Sequence, residues 1–208
     1  MKTKYPLIHL ASQSSRRRSI LKRLGVPFKV VSSGYREKPI RRIRPRQLVL
    51  VHAEGKVRCA KWPKTARYVL GADTIVVLNG KILGKPADPE QAFRMLRSIQ
   101  GRSHWVYTGL VLWNREKGRF KKGCVTTRVW VKKMSPENIR RYMQKVHPLD
   151  KAGSYGIQEG PAIVQKIRGS YSNVVGLPVE LLKEWLRREV KKNLADNHKR
   201  ERKIISQK

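Results

Sequence analysis

The run YVLGADTIVVL, Tyr68 to Leu78, constrains this chain more than any other stretch. It is apolar almost throughout, with β-branched residues at Thr74, Ile75, Val76 and Val77. With Asn79-Gly80 directly after it, the run predicts a buried strand leading into a hairpin turn. Asp73 breaks the pattern. An ionised carboxylate inside a core strand is costly unless it is paired, hydrogen-bonded or bound to a metal. The chain carries 14 acidic residues against 48 basic ones, which makes an acid spent on a core strand a candidate for chemistry. Past the turn comes Gly84-Lys85-Pro86, and a hairpin would return Lys85 towards the level of Asp73. A carboxylate facing an ammonium suits metal and phosphate. It equally suits an acid that caps a turn or pairs with a buried arginine, and this stretch alone leaves both readings open.

At 208 residues the chain can bury a sizeable core, as one large domain or two small lobes. It contains no apolar run of about 18 residues, so no membrane helix is expected. The apolar piece Leu7 to Ala11 is too short for a signal-peptide core, and a cytoplasmic location is expected. Cys59 and Cys124 show no ligand spacing and are read as reduced and structural. The formal charge of +34 implies attraction to polyanions. The basic residues are spread along the sequence, however, and make no single stripe with interleaved aromatics. Nucleic acid therefore stands as an open but unfavoured partner.

Along the chain, Leu7 to Ala11 predicts a first strand. Ser12-Gln13-Ser14-Ser15 then leads to a helix with Ser14 or Ser15 as N-cap, Ile20, Leu21 and Leu24 on its apolar face and Gly25 as its stop. Strand, serine turn, helix is one way to present backbone N–H groups to phosphate, and arginines in the first turn oppose the dipole unless an anion sits there. Phe28 to Ser32 predicts a second strand, and Glu37 is an isolated acid in the loop after it. Gln47 to Lys61 predicts a helix with Leu48, Val51, Val57 and Ala60 inward and Lys56 as a surface lysine. Asp88-Pro89 opens a helix to Ile99, and Ser135-Pro136 opens another to about Lys145. His104 to Trp113 and Val125 to Val131 predict antiparallel strands joined through Asn114 to Lys122. His104 reads as structural rather than catalytic. DKAGSYGIQ, Asp150 to Gln158, has the small residues that let backbone approach a ligand, and Gln158 has the donor and acceptor to read a base edge. Ile163 to Ile167 predicts a strand and Pro178 opens a final helix. From Asp196 onward the sequence reads as a frayed basic tail.

LASQSSRRRSILKRLG, LGADTIVVLNGKILGKP, GRSHWVYTG, DKAGSYGIQ and GSYSNVVGLP, in this order from about Leu7 to Leu186, resemble the Maf family of nucleoside triphosphate pyrophosphatases. The resemblance implies an α/β fold (Maf/ITPase-like), an elongated, bent mixed sheet flanked by helices around a central cleft. It implies a single domain over residues 1–190 in two lobes and a homodimer, while the basic tail over 191–208 exceeds the family's usual pattern. It implies hydrolysis of a nucleoside triphosphate to monophosphate and pyrophosphate with a divalent cation, Mg2+ or Mn2+. Asp73 falls on the catalytic proton acceptor, and Asp73 with Glu37 on the metal side. Arg16, Lys56 and Lys85 fall on phosphate-holding positions, with backbone donors from Ser12 to Ser15. Arg16, Thr74 and Gln158 match the branch acting on dTTP and UTP; a related branch acts on 7-methyl-GTP. Two departures stand out: Ser15 replaces the family's usual proline, and Glu159 follows Gln158 where glycine is common. The competing reading of another class is a basic nucleic-acid-binding module.

Overall fold

The computed structural model describes residues 4–38, 40 and 42–191. The order is β1 (Ile8–Leu10), α1 (Ser15–Arg23), β2 (Phe28–Val30), α2 (Pro45–Arg58), β3 (Tyr68–Leu78), β4 (Lys81–Leu83), α3 (Pro89–Ile99), β5 (Ser103–Asn114), β6 (Arg119–Val131) and α4 (Pro136–Lys145). Two 3₁₀ turns, Pro148–Asp150 and Ala152–Ser154, precede β7 (Val164–Arg168) and α5 (Tyr171–Val175). A last helix, α6, covers 179–191. The strands form one mixed sheet in the order β2-β1-β3-β5-β6-β7, with β4 hairpinned onto β3. β1 runs parallel to β2 and β3, and the other pairings are antiparallel.

β3 is the spine of the molecule because it serves four separate cores. Tyr68, Leu70 and Ala72 point into a core with α1 and α6, while Val76 and Leu78 join α3 and α4 on the same face. On the opposite face Val69 packs with Ala53 and Val57 of α2, and Ile75 and Val77 pack with Leu48 and Val49. Asp73 and Thr74 fall in the gaps between cores. The sheet edge is interrupted at the same level. β1 pairs with Tyr68 to Leu70 and β4 with Val76 to Leu78, which leaves residues 71–75 without a strand neighbour on that side. This gap in the edge lets one cleft reach side chains on both faces of the strand.

The hairpin forms as the sequence predicts, with Asn79 and Gly80 both at positive φ. Ser14, Asp88 and Ser135 each accept a backbone N–H three residues on, which caps α1, α3 and α4. Other expectations need correction. α2 begins at Pro45, and its buried face is Leu48, Val49, His52, Ala53 and Val57, with Val51 exposed. The helix is turned this way because two strand glycines let its backbone settle onto the sheet. A Cβ at Gly71 would meet the Ala53 carbonyl oxygen, and one at Gly109 would meet that of Val49. β6 begins at Arg119 rather than Val125. Its basic start looks loop-like, but it ladders fully with β5, and Lys121 and Lys122 lie over the rings of Trp185 and Phe120. The expected basic tail lies outside the described residues, apart from Lys191 at the end of α6.

Candidate active site

A cleft of about 580 Å³ opens at the interrupted edge of β3. The side chains expected in the site all line it: Ser12 and Ser14 from the β1–α1 turn, Arg16 from the first turn of α1, Glu37 from the loop before α2, Lys56 from α2, Asp73 and Thr74 from β3, Lys85 after β4, and Gln158. The hairpin delivers Lys85 as expected. β4 pairs Leu83 with Val76, so the chain returns past the strand towards Thr74 and Asp73.

Asp73 is 4% exposed. Its Oδ1 accepts a 2.6 Å hydrogen bond from Lys56 Nζ, while Oδ2 is buried with no hydrogen-bond partner among the described residues. Lys56 is thus no ordinary surface lysine. Its ammonium also sits 2.7 Å from Glu37 Oε1 and donates to the carbonyl of Ala72 on the open strand edge. Burial opposes ionisation of Glu37, but Lys56, by charge and hydrogen bond, with His52 and Lys85, holds its carboxyl below the ordinary value. A single ammonium therefore clamps two carboxylates and leaves the second Asp73 oxygen buried without a hydrogen-bond partner among the described residues. No cluster of three or more His, Cys, Asp or Glu side chains able to hold a metal occurs among the described residues. The unpartnered Oδ2 of Asp73 nevertheless fits a hard cation, since a buried carboxylate oxygen calls for positive charge and Mg2+ is commonly held by one or two carboxylates plus substrate phosphate.

Two cations that sequence reasoning passed over complete the site. Arg17, not Arg16, is the buried member of the arginine run, at 8% exposure. Its Nε donates to the Gly176 carbonyl at 2.8 Å, Nη1 to Ser12 Oγ at 2.9 Å and Nη2 to Thr74 Oγ1 at 3.1 Å. Burial lowers its pKa, and the Asp73 charge works against that shift. The signal was present in the sequence: Arg17 precedes Ile20, Leu21 and Leu24 by three, four and seven residues, on the apolar helical face. Thr74 Oγ1 also lies 3.0 Å from Thr108 Oγ1, and Thr108 donates to the Asn173 carbonyl. Thr74 is thereby fixed by both halves of the cleft.

Lys151 is 3% exposed and donates to the His147 carbonyl, Asp150 Oδ1 and Glu159 Oε2, all within 2.7 Å. The same two acids hold Arg16: Nη1 lies 2.9 Å from Asp150 Oδ2 and 3.7 Å from Glu159 Oε1. Glu159, the departure beside Gln158, is therefore neutralised by two cations and tied into the wall of the cleft. Tyr155 lines the cleft, and its hydroxyl shares a 2.7 Å hydrogen bond with His104 Nε2. Burial pushes the His104 pKa down to about 4, consistent with a structural histidine.

A model of a family described as Maf-like protein matches residues 7–189. The chain is 41% identical to a dTTP/UTP pyrophosphatase of Pelotomaculum thermopropionicum, over 87% of this chain and 95% of the relative. It is 46% identical to a dTTP/UTP pyrophosphatase of Gloeobacter violaceus, over 85% of this chain and 93% of the relative. A third relative so named, from Geobacter sp. strain M21, is 44% identical over 83% of this chain.

Proposed function

The chain belongs to the Maf family, and from that premise we propose that it is a nucleoside triphosphate pyrophosphatase converting dTTP and UTP to the monophosphate and pyrophosphate. One observation carries the reading: Asp73, a buried carboxylate with one oxygen lacking a partner, lines a cleft otherwise rich in cations.

Release of pyrophosphate requires water to attack the α-phosphorus. A new P–O bond forms there, the bond to the α–β bridging oxygen breaks, and the leaving pyrophosphate takes the electron pair. The water proton goes to the Asp73 carboxylate, one oxygen of which is held by Lys56. A divalent cation bound at Asp73 with Glu37 would acidify water and offset phosphate charge. Arg16 and Lys85 hold phosphate oxygens and stabilise charge growing on the leaving group, and Lys56, whose donors go to Asp73, Glu37 and the Ala72 carbonyl, adds its charge beside them. Arg17 contributes a further, rigidly held charge beside Thr74. Ser12 and Ser14 shape the turn that presents backbone donors, with Ser14 N–H donating to Ser12 Oγ.

Thr74 and Gln158 read the pyrimidine. The family alternative is 7-methyl-GTP, and the Glu159 carboxylate next to Gln158 is turned to Lys151 and Arg16. We further read residues 1–190 as one catalytic domain of two lobes, followed by a basic tail over 191–208. The family resemblance supports a cytoplasmic homodimer, and no helix among the described residues is long and apolar enough to cross a membrane.

The test is a panel of canonical and methylated triphosphates with Mg2+ or Mn2+, with products separated by chromatography. Monophosphate plus pyrophosphate from dTTP and UTP is the expected result. Stepwise release of orthophosphate would refute it.

A further inference from the structure

Three basic residues and two tryptophans meet on one sheet face outside the cleft. Cross-strand register sets Trp105 of β5 opposite Arg128 of β6, and Arg128 opposite Arg168 of β7. The next row holds Ser103, Trp130 and Lys166. Side chains directly opposite, and those two apart on a strand, share a face, so all six lie on one surface. Trp105 is 42% exposed, and Arg128, Lys166 and Arg168 are exposed beside it. The Arg128 guanidinium lies 5.5 Å from the Trp105 ring and 5.0 Å from the Trp130 ring, and Nε and Nη2 both donate to Ser103 Oγ. Lys166 Nζ lies 5.7 Å from the Trp130 ring. Strands β5, β6 and β7 contain no Asp or Glu.

We propose that this face binds single-stranded nucleic acid, with bases stacking on Trp105 and Trp130 and phosphates meeting Arg128, Lys166 and Arg168. Three strands span about 10 Å, wide enough for two or three stacked bases on a flat sheet. The alternating cations supply the phosphate contacts, and the rings supply stacking that tolerates any base. A second copy of the chain is a poorer occupant. A two-fold contact would lay this patch on itself, cation against cation, between two chains each carrying +34. The site shares no residue with the catalytic cleft, so it stands or falls independently of the pyrophosphatase reading.

The experiment measures fluorescence anisotropy of a labelled single-stranded oligo(dA) of about a dozen nucleotides, with the matching duplex as control. Oligo(dA) avoids the pyrimidine preference assigned to the cleft. Trp105→Ala is expected to weaken single-strand binding about tenfold, within the range of one lost base stack. It should leave duplex binding and pyrophosphate release unchanged. Lys64→Ala, an exposed substitution near the far end of β3, should weaken both forms slightly and equally. The proposal is overturned if Trp105→Ala binds the single strand as the parent does, or loses duplex affinity to the same degree. It is also overturned if sedimentation shows the variant dissociating a dimer while oligonucleotide affinity stays unchanged, which would make the face a self-interface.

Discussion

The proposed chemistry turns on the inequality of the two Asp73 oxygens. Oδ1 is committed to Lys56 and Oδ2 is free, so replacing the carboxylate by an amide keeps the shape and removes the acceptor. Asp73→Asn is expected to lower pyrophosphate release about 10²–10⁴-fold, the usual contribution of a general base, with the fold kept as judged by circular dichroism. Near-parental turnover would remove Asp73 from that role. Arg17 offers a complementary case, because its guanidinium fills three acceptors in different directions. An ammonium cannot reproduce that fork, so Arg17→Lys should cost about 2 kcal/mol in urea unfolding. His104 makes a pH-dependent contribution. Its folded pKa, about 4, lies below the ordinary histidine value of 6.5, so the unfolded chain takes up the proton first. Stability from this group is therefore complete above about pH 6.5 and is lost as pH falls towards 4. The gap corresponds to about 3 kcal/mol at 1.36 kcal/mol per pKa unit. Comparing His104→Gln with the parent by urea unfolding at pH 7 and about pH 4.5 should show most of that slope removed in the variant.

At the level of elements, the lysine paired with Asp73 is placed by two glycines on neighbouring strands. Gly71 and Gly109 let α2 lie against β3 and β5, and Lys56 rides on that helix. Gly109→Ala would drive a methyl into the Val49 carbonyl, which is backbone and cannot rotate away. A destabilisation of about 3 kcal/mol is expected, together with a fall in kcat as Lys56 moves off Asp73; unfolding and initial-rate measurements on one preparation would check both. Much of this layer was legible in advance. The Asn79-Gly80 turn, the Asp88-Pro89 and Ser135-Pro136 helix starts and the return of Lys85 all follow from local signals. The inward face of α2 was not legible, since Val49 and Ala53 are selected by glycines on other strands. Nor was α5, a helix too short to show a period. The partners of Lys56 were hidden for the same reason, because Glu37, Lys56 and Asp73 are separated by loops that conceal their meeting. Arg17, by contrast, could have been read from its spacing to Ile20 and Leu21.

For the whole molecule, a charge of +34 acts on stability and on catalysis in opposite directions. Like charges crowded onto a compact chain repel one another, and added salt screens that repulsion. The same field draws a triphosphate towards the cleft, and salt screens that attraction too. Close contacts within the cleft, such as Lys56 with Asp73 at 2.6 Å, lie well inside the screening length of about 8 Å at physiological salt and are little affected. Raising sodium chloride from about 20 mM to about 0.5 M should therefore raise the thermal midpoint by several degrees, lower kcat/KM several-fold and leave kcat nearly constant. Differential scanning calorimetry and initial rates over the same salt series would measure the three quantities together. A fall in kcat with unchanged KM would mean that salt disturbs the cleft itself, and that the dispersed charge does not steer the substrate.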